Sequence, residues 1–317
     1  MTTIVSWKEI QDTEFDNLLL GNGFSMNVST SFGYESLLDI FDGRPVGRYR
    51  CTKDIFDKLE TSNFETVLKA IYHALIVSID NEVALNTLYS DVRSALISAV
   101  KSIHPQFNSV QVKDIAKELC YYRNVYTTNY DLILYWVILN ELSDRFVDFF
   151  WGCDMPFNKS HTEVFSGKTP IYYLHGALHL KSNIYGQSYK SRITLDHPED
   201  FFDDIGTGEF PLFISEGHSD LKRQKIDENS YLRFCFNSLE QSNGSMLVFG
   251  HDLHEDFDRH IVEAIKNSQI DFVAVSVFSR LPVLRKNSFV ARVREALAPI
   301  DVVFFESDSH PFGDLRQ

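Results

Sequence analysis

The chain has 317 residues, 44% of them hydrophobic and 14% aromatic, which is enough apolar material for a large buried core and excludes a disordered chain. Its 30 basic residues against 44 acidic ones leave a net charge of −14, which excludes the broad basic face of a general nucleic-acid or membrane-surface binder. The four cysteines, Cys51, Cys120, Cys153 and Cys235, form no CxxC pair, so a tetrahedral zinc site built from two such pairs is excluded as well.

Residues 1–16 are polar and mixed in charge, unlike a secretory segment, and no apolar run approaches the roughly 20 residues that span a bilayer. A cytoplasmic protein without direct nucleic-acid or membrane contacts is the expectation. In chain order, the first apolar run is 17–20, ending in Gly21. Residues 35–118 come next, with helical periodicity: Phe64, Val67, Leu68, Ile71, Leu75 and Ile79 form one stripe, and Leu88, Val92, Leu96, Ala99 and Ile103 another. Further strand-like runs occupy 124–127, 146–151, 171–174, 246–249, 272–278 and 302–305, with helical patterns at 131–142 and 257–266. The runs are continuously apolar rather than alternating, as in strands buried on both faces. Their alternation with helices predicts an α/β fold, a Rossmann-like doubly wound parallel sheet with a helical insertion. The organisation expected is a single domain over 1–317, with the helical insertion at about 35–118 and an irregular insertion at about 181–240. Within the latter, Asp196, Glu199, Asp200, Asp203, Asp204 and Glu209 read as a solvated acidic loop.

Open parallel sheets bind ligands at the carboxyl ends of their strands, so the residues just past each run are informative. The first run leads into Gly21-Asn22-Gly23-Phe24-Ser25, where glycines permit a tight turn and a close approach of backbone N–H groups to a pyrophosphate; Met26 stands where a third fingerprint glycine would. The second ends in Thr127-Thr128-Asn129-Tyr130-Asp131, which either caps the next helix or holds the Asn129 amide against a ribose or a water. The run at 171–174 leads into His175-Gly176, an imidazole able to accept a proton near neutral pH beside a residue that leaves room for a substrate. The run at 246–249 leads into Gly250-His251-Asp252, with Asp258 opening a helix; these carboxylates suit ribose hydroxyls or a helix N-terminus equally.

Other patterns fall short. Gly167-Lys168-Thr169 lacks the upstream glycine of a P-loop, because Thr162 occupies that position. His251, His254, His260 and Glu255 lack HExxH spacing, so no metal is expected, and no GxSxG elbow exists.

The ordered set of glycine turn, TTNYD, LHG and FGHDxxxxxD spans residues 17–260 and resembles the sirtuin-like superfamily. In particular it resembles the bacterial sirtuin-related NADases of anti-phage defence, which carry GxGxS-type, TTNYD, LHG and GxSxxD-type elements. The resemblance implies NAD as substrate. Gly21, Gly23 and Ser25, with Asn22, would hold its phosphates, and Phe24 would lie near the nicotinamide. Asn129, flanked by Thr128, would orient the nicotinamide ribose and the attacking water, with Asp131 supporting that loop. His175, beside Gly176, would act as general base, and Gly250 and Asp252 would sit near the adenosine. His251-Asp252 departs from the family's aromatic–serine pair. Protein-deacylating sirtuins typically carry a paired-cysteine zinc ribbon. Its absence implies water as the acceptor and hydrolysis to nicotinamide and ADP-ribose, with deacylation or silent NAD or ADP-ribose binding as alternatives. The family further implies a regulated effector that works through NAD depletion, restrained by homo-oligomerisation or by a separately encoded sensor or activator.

Overall fold

A computed structural model describes residues 3–33, 53–61, 64–78, 80–140, 144–152, 155–191, 208–214, 218–313 and 315. In chain order its main elements are β1 (Ile4–Val5), β2 (Asn17–Leu20), α1 (Asn22–Val28), α2 (Lys53–Lys58), α3 (Phe64–Val77), α4 (Glu82–Ile103), α5 (Val112–Leu119), β3 (Asn124–Thr127), α6 (Ile133–Asn140), β4 (Phe146–Val147) and β5 (Thr169–Tyr173). They continue with β6 (Gly176–Asn183), β7 (Ser188–Lys190), β8 (Glu209–Phe213), α7 (Ser219–Glu228), α8 (Ser230–Glu240), β9 (Asn243–Phe249), α9 (Glu255–Asn267), β10 (Gln269–Val277), α10 (Val283–Leu297) and β11 (Asp301–Glu306).

Eight strands form one parallel sheet in the order β1-β11-β10-β9-β2-β3-β5-β4. The run β5-β3-β2-β9-β10-β11 matches the doubly wound nucleotide-binding order, in which the chain winds outward from the middle strand and then returns to wind the other way. The reversal falls between β2 and β9. Helices cover the sheet, which is why β2 is buried at every position and why an uninterrupted Leu18-Leu19-Leu20 suits it. The expected α/β, Rossmann-like architecture is therefore the fold.

Between β2 and β3 every described element is a helix. α3 and α4 bury the stripes Phe64, Val67, Leu68, Ile71 and Leu88, Val92, Leu96, Ala99, Ile103. Ile79, Cys51 and much of the early insertion lie outside the described residues, as do Cys153 and the acidic cluster from Asp196 to Asp204.

Two stretches differ from expectation. The apolar run 146–151 supplies only two strand residues. After Val147 the Asp148 carboxylate accepts the Phe150 N–H at 3.1 Å, and Phe149 turns to φ 68°. The rings of Phe149 and Phe150 stay buried against Phe234 and Tyr231 (centroids 4.8 and 4.7 Å), so apolarity here reports packing rather than extension. The stretch expected to be irregular, 181–240, holds the end of β6, β7 and β8, which form a three-stranded antiparallel sheet in the order β7-β6-β8, and then α7 and α8. α7 escapes a periodicity reading because Ser219, Lys222 and Ile226 are its buried residues, and two of them are polar.

The antiparallel sheet is joined to the main one through the turn at His175-Gly176. Gly176 has φ +72°, and a Cβ there would stand 2.2 Å from the Leu212 carbonyl oxygen. The room it leaves is for the β8 backbone, not for a substrate. Gly176→Ala is expected to cost about 2–4 kcal/mol in urea unfolding, combining left-handed strain with overpacking. Gly186→Ala, at φ +76° with open space around it, isolates the strain component and should cost about 1 kcal/mol.

Candidate functional site

Parallel pairing aligns Leu20 with Phe249 on one side and with Thr127 on the other, and Thr127 in turn with Tyr173. The ladder continues one residue beyond the strands. Gly21 N donates to Phe249 O at 3.0 Å, Thr128 N to Leu20 O at 3.1 Å and Leu174 N to Thr127 O at 2.9 Å. The next residues, Asn22, Asn129, His175 and His251, therefore leave the four strand tips at one level, across the point where the strand order reverses.

A cavity of about 370 Å³ opens there, lined by Asn22, Gly23, Phe32, Thr128, Asn129, Tyr130, Asp131, His175, Ile214, Lys222, Gly250, His251, Asp252 and Asp258. It thus gathers eight of the twelve residues to which the resemblance gives a role, Asn22, Gly23, Thr128, Asn129, Asp131, His175, Gly250 and Asp252, together with the sequence candidates His251 and Asp258. The other four lie behind its wall. Phe24, expected near the nicotinamide, is fully buried, edge-on to Phe312 at 5.1 Å. Gly21 and Ser25 support the wall from behind, and Gly176 faces β8.

The glycine turn also differs from a phosphate cradle. Gly23 N donates to Gly250 O at 2.8 Å and Phe24 N to Gly21 O at 2.9 Å, so three of the turn's N–H groups, with that of Gly21, are taken up inside the protein. Gly250, at φ +68°, lies so close that a Cβ would stand 2.4 Å from Phe24 N. The glycines bring two loops into contact, and this close approach is what the turn chemistry secures.

Asn129 is locked by its amide. Its Nδ2 donates to Gly21 O at 2.9 Å and to Ser25 Oγ at 2.8 Å, and Ser25 Oγ donates to Asp131 Oδ2. Asp131 Oδ1 accepts the Ile133 N–H at 2.9 Å, capping α6. Capping and positioning, alternatives in the sequence, are thus divided between neighbours: Asp131 caps, and Asn129 is held with Oδ1 unused among the described residues. Burial pushes the Asp131 carboxyl up, while the Ser25 hydroxyl and the Ile133 N–H pull it down.

His175 is 3% exposed, with Nε2 2.9 Å from Nε2 of His260. Ser219 Oγ stands 2.8 Å from His260 Nδ1 and accepts the His260 N–H at 2.8 Å. One proton arrangement satisfies the chain: Ser219 O–H donates to His260 Nδ1 and His260 Nε2–H to His175 Nε2, which leaves the His175 proton on Nδ1. Burial first, then Lys222 and the neighbouring imidazoles, pushes His175 well below the ordinary histidine value. Both rings are neutral at pH 7.

Lys222, on α7, is 9% exposed, and its Nζ stands 3.6 Å from Asp258 Oδ1. Asp258 interrupts α9 with non-helical φ −131° and ψ 15°. Burial pushes its carboxyl up, but His251 and Lys222 beside it prevail and hold it below the usual carboxylate range. Asp252 turns outward to Arg292 at 2.7 Å. A second cavity of about 390 Å³ shares Gly23, Gly250, His251 and Asp252 with the first and continues over the tips of β9, β10 and β11, between Met26, Phe278, Leu281 and Phe289. Lys222 and the Ser219–His260 pair carry no motif, and only burial reveals them. His260 stood in the sequence as part of a failed metal pattern; among the described residues no group of three His, Cys, Asp or Glu side chains could hold a metal ion. No described helix is long and apolar enough to cross a membrane.

A family model described as a domain of unknown function, DUF4917, matches residues 18–312, and the chain belongs to that family. No curated protein matches the chain.

This geometry carries two expected outcomes. Ser25→Ala removes the hydroxyl between Asn129 and Asp131 and is expected to cost about 1–3 kcal/mol of unfolding free energy. The second concerns pH: unfolded histidines take up protons below about pH 6.5, whereas burial holds folded His260 neutral down to about pH 3. Its contribution is complete above pH ~6.5 and is lost as pH falls. His260→Gln should make stability between about pH 6 and pH 4.5 fall less steeply than in the wild type, by up to about 1.4 kcal/mol per pH unit.

Proposed function

We propose that this DUF4917 chain binds NAD across the switch point and hydrolyses its nicotinamide–ribose bond, as the sirtuin-like motifs imply. The observation that carries this reading is that Asn129 and His175, from adjacent strand tips, line one cavity in a sheet of nucleotide-binding order. The second, apolar cavity suits the adenosine half, and the linking phosphates would pass His251, in the wall that the two cavities share.

On this reading the C1′–N bond breaks with its electron pair leaving on nicotinamide, already a good leaving group because its ring is positively charged. Water adds to C1′ of the oxocarbenium-like ribose and gives up a proton. Asn129, rigidly held through Nδ2, offers Oδ1 to the ribose or the water. His175, kept neutral by burial, takes the proton once a substrate hydroxyl replaces His260 at its Nε2. The resting enzyme therefore holds its base occupied, which agrees with an effector restrained by oligomerisation or by a separate sensor until infection.

The same occupied Nε2 favours a second reading, a module that binds NAD or ADP-ribose without cleaving it. Incubating purified protein with NAD and measuring nicotinamide release by chromatography separates the two. Hydrolysis is expected, and His175→Ala or Asn129→Ala should lower it by at least about 100-fold while thermal melting still shows a folded protein. Near-wild-type turnover in either variant removes the catalytic assignment, and binding without release supports the silent module.

A further inference from the structure

A buried cation in the cavity stands outside every motif. Lys222 is 9% exposed and lines the cavity, yet among the described residues its Nζ makes no hydrogen bond. Asp258 Oδ1, at 3.6 Å, balances its charge without meeting a donor at hydrogen-bond length. Burying an ammonium is costly unless its donors are met, so a lysine so placed suits an anion that enters the cavity. Among the described residues it is the one Lys or Arg that lines this cavity.

A second polar side chain flanks the same carboxylate. His251 Nδ1 accepts the Leu253 N–H at 3.0 Å, which places the ring proton on Nε2, and the ring is 7% exposed in the walls of both cavities. Asp258 Oδ2 lies 4.0 Å from His251 Nδ1, so Lys222 and His251 flank the same carboxylate. The need for such donors is plain at the glycine turn, where the N–H groups of Gly21, Gly23 and Phe24 are already taken up by protein carbonyls.

We propose that Lys222, with His251 in the wall that the two cavities share, is the seat for the diphosphate of a nucleotide ligand, in place of the backbone cradle of a glycine-rich turn. This rests on the reading of the crevice as a dinucleotide site and names the side chains that meet its charge. The seat discriminates by phosphate: ADP-ribose engages it, and adenosine, which has none, does not.

Isothermal titration of the full chain with ADP-ribose, adenosine and inorganic pyrophosphate tests this, because none of the three requires turnover. Lys222→Met should weaken ADP-ribose about 10- to 100-fold, leave adenosine unchanged and flatten the salt dependence of binding. Lys222→Arg should restore most of the affinity. The double variant Lys222→Met with Asp258→Asn, which leaves no uncompensated charge, should be folded by thermal melting and equally impaired. ADP-ribose binding by Lys222→Met at wild-type strength overturns the proposal while the dinucleotide reading survives. Lys222-dependent binding of pyrophosphate, with no binding of ADP-ribose or adenosine, keeps the anion seat and overturns the dinucleotide reading. A wild type that binds none of the three overturns both.

Discussion

The site depends on register. Four parallel strands end at one level because Leu20 pairs with Phe249 and Thr127, and Thr127 with Tyr173, and because the ladder runs one hydrogen bond further at Gly21, Thr128 and Leu174. Neighbouring strands lie about 4.8 Å apart, so residues two positions past the paired level emerge side by side. Asn129 and His175 meet for that reason, although 46 positions separate them in the chain. A shift of one residue in β3 or β5 would turn one of them into the core.

Much of this was legible in sequence because a buried parallel strand announces itself. The runs at Asn17–Leu20 and Asn124–Thr127 are apolar on both faces and stop at residues that cannot stay buried without a partner, and the polar residues just beyond them are the ones in the cavity. Illegible were features in which burial and composition part company. Phe149 and Phe150 are apolar without being extended, and β6 is buried over most of its length although it contains His179, Lys181 and Ser182. α7 buries a serine and a lysine on the face that meets the site, so no hydrophobic stripe marks it. The glycine turn was legible in place but not in purpose: composition allows a phosphate cradle, whereas in the fold its donors go to Phe249, Gly250 and Gly21.

The two walls of the cavity therefore have different origins. Strand tips supply position: Asn129 is fixed through Ser25 and Gly21, and Asp131 is fixed through Ser25 and the start of α6. Helices packed over the tips supply charge and proton placement. Lys222 and Ser219 come from α7, and Asp258 and His260 from α9, with His251 on the loop that precedes it.

That division leaves the two walls with separate sets of partners. Displacing α9 would release Nε2 of His175 and disturb the Lys222–Asp258 pair, because His260 and Asp258 are two residues apart on one irregular turn. The Asn129 wall would be unaffected, since none of its hydrogen bonds reaches α7 or α9. The partner of His175 Nε2 and the counter-charge of Lys222 thus come from one stretch of backbone, whereas the partners of Asn129 come from the glycine turn and α1.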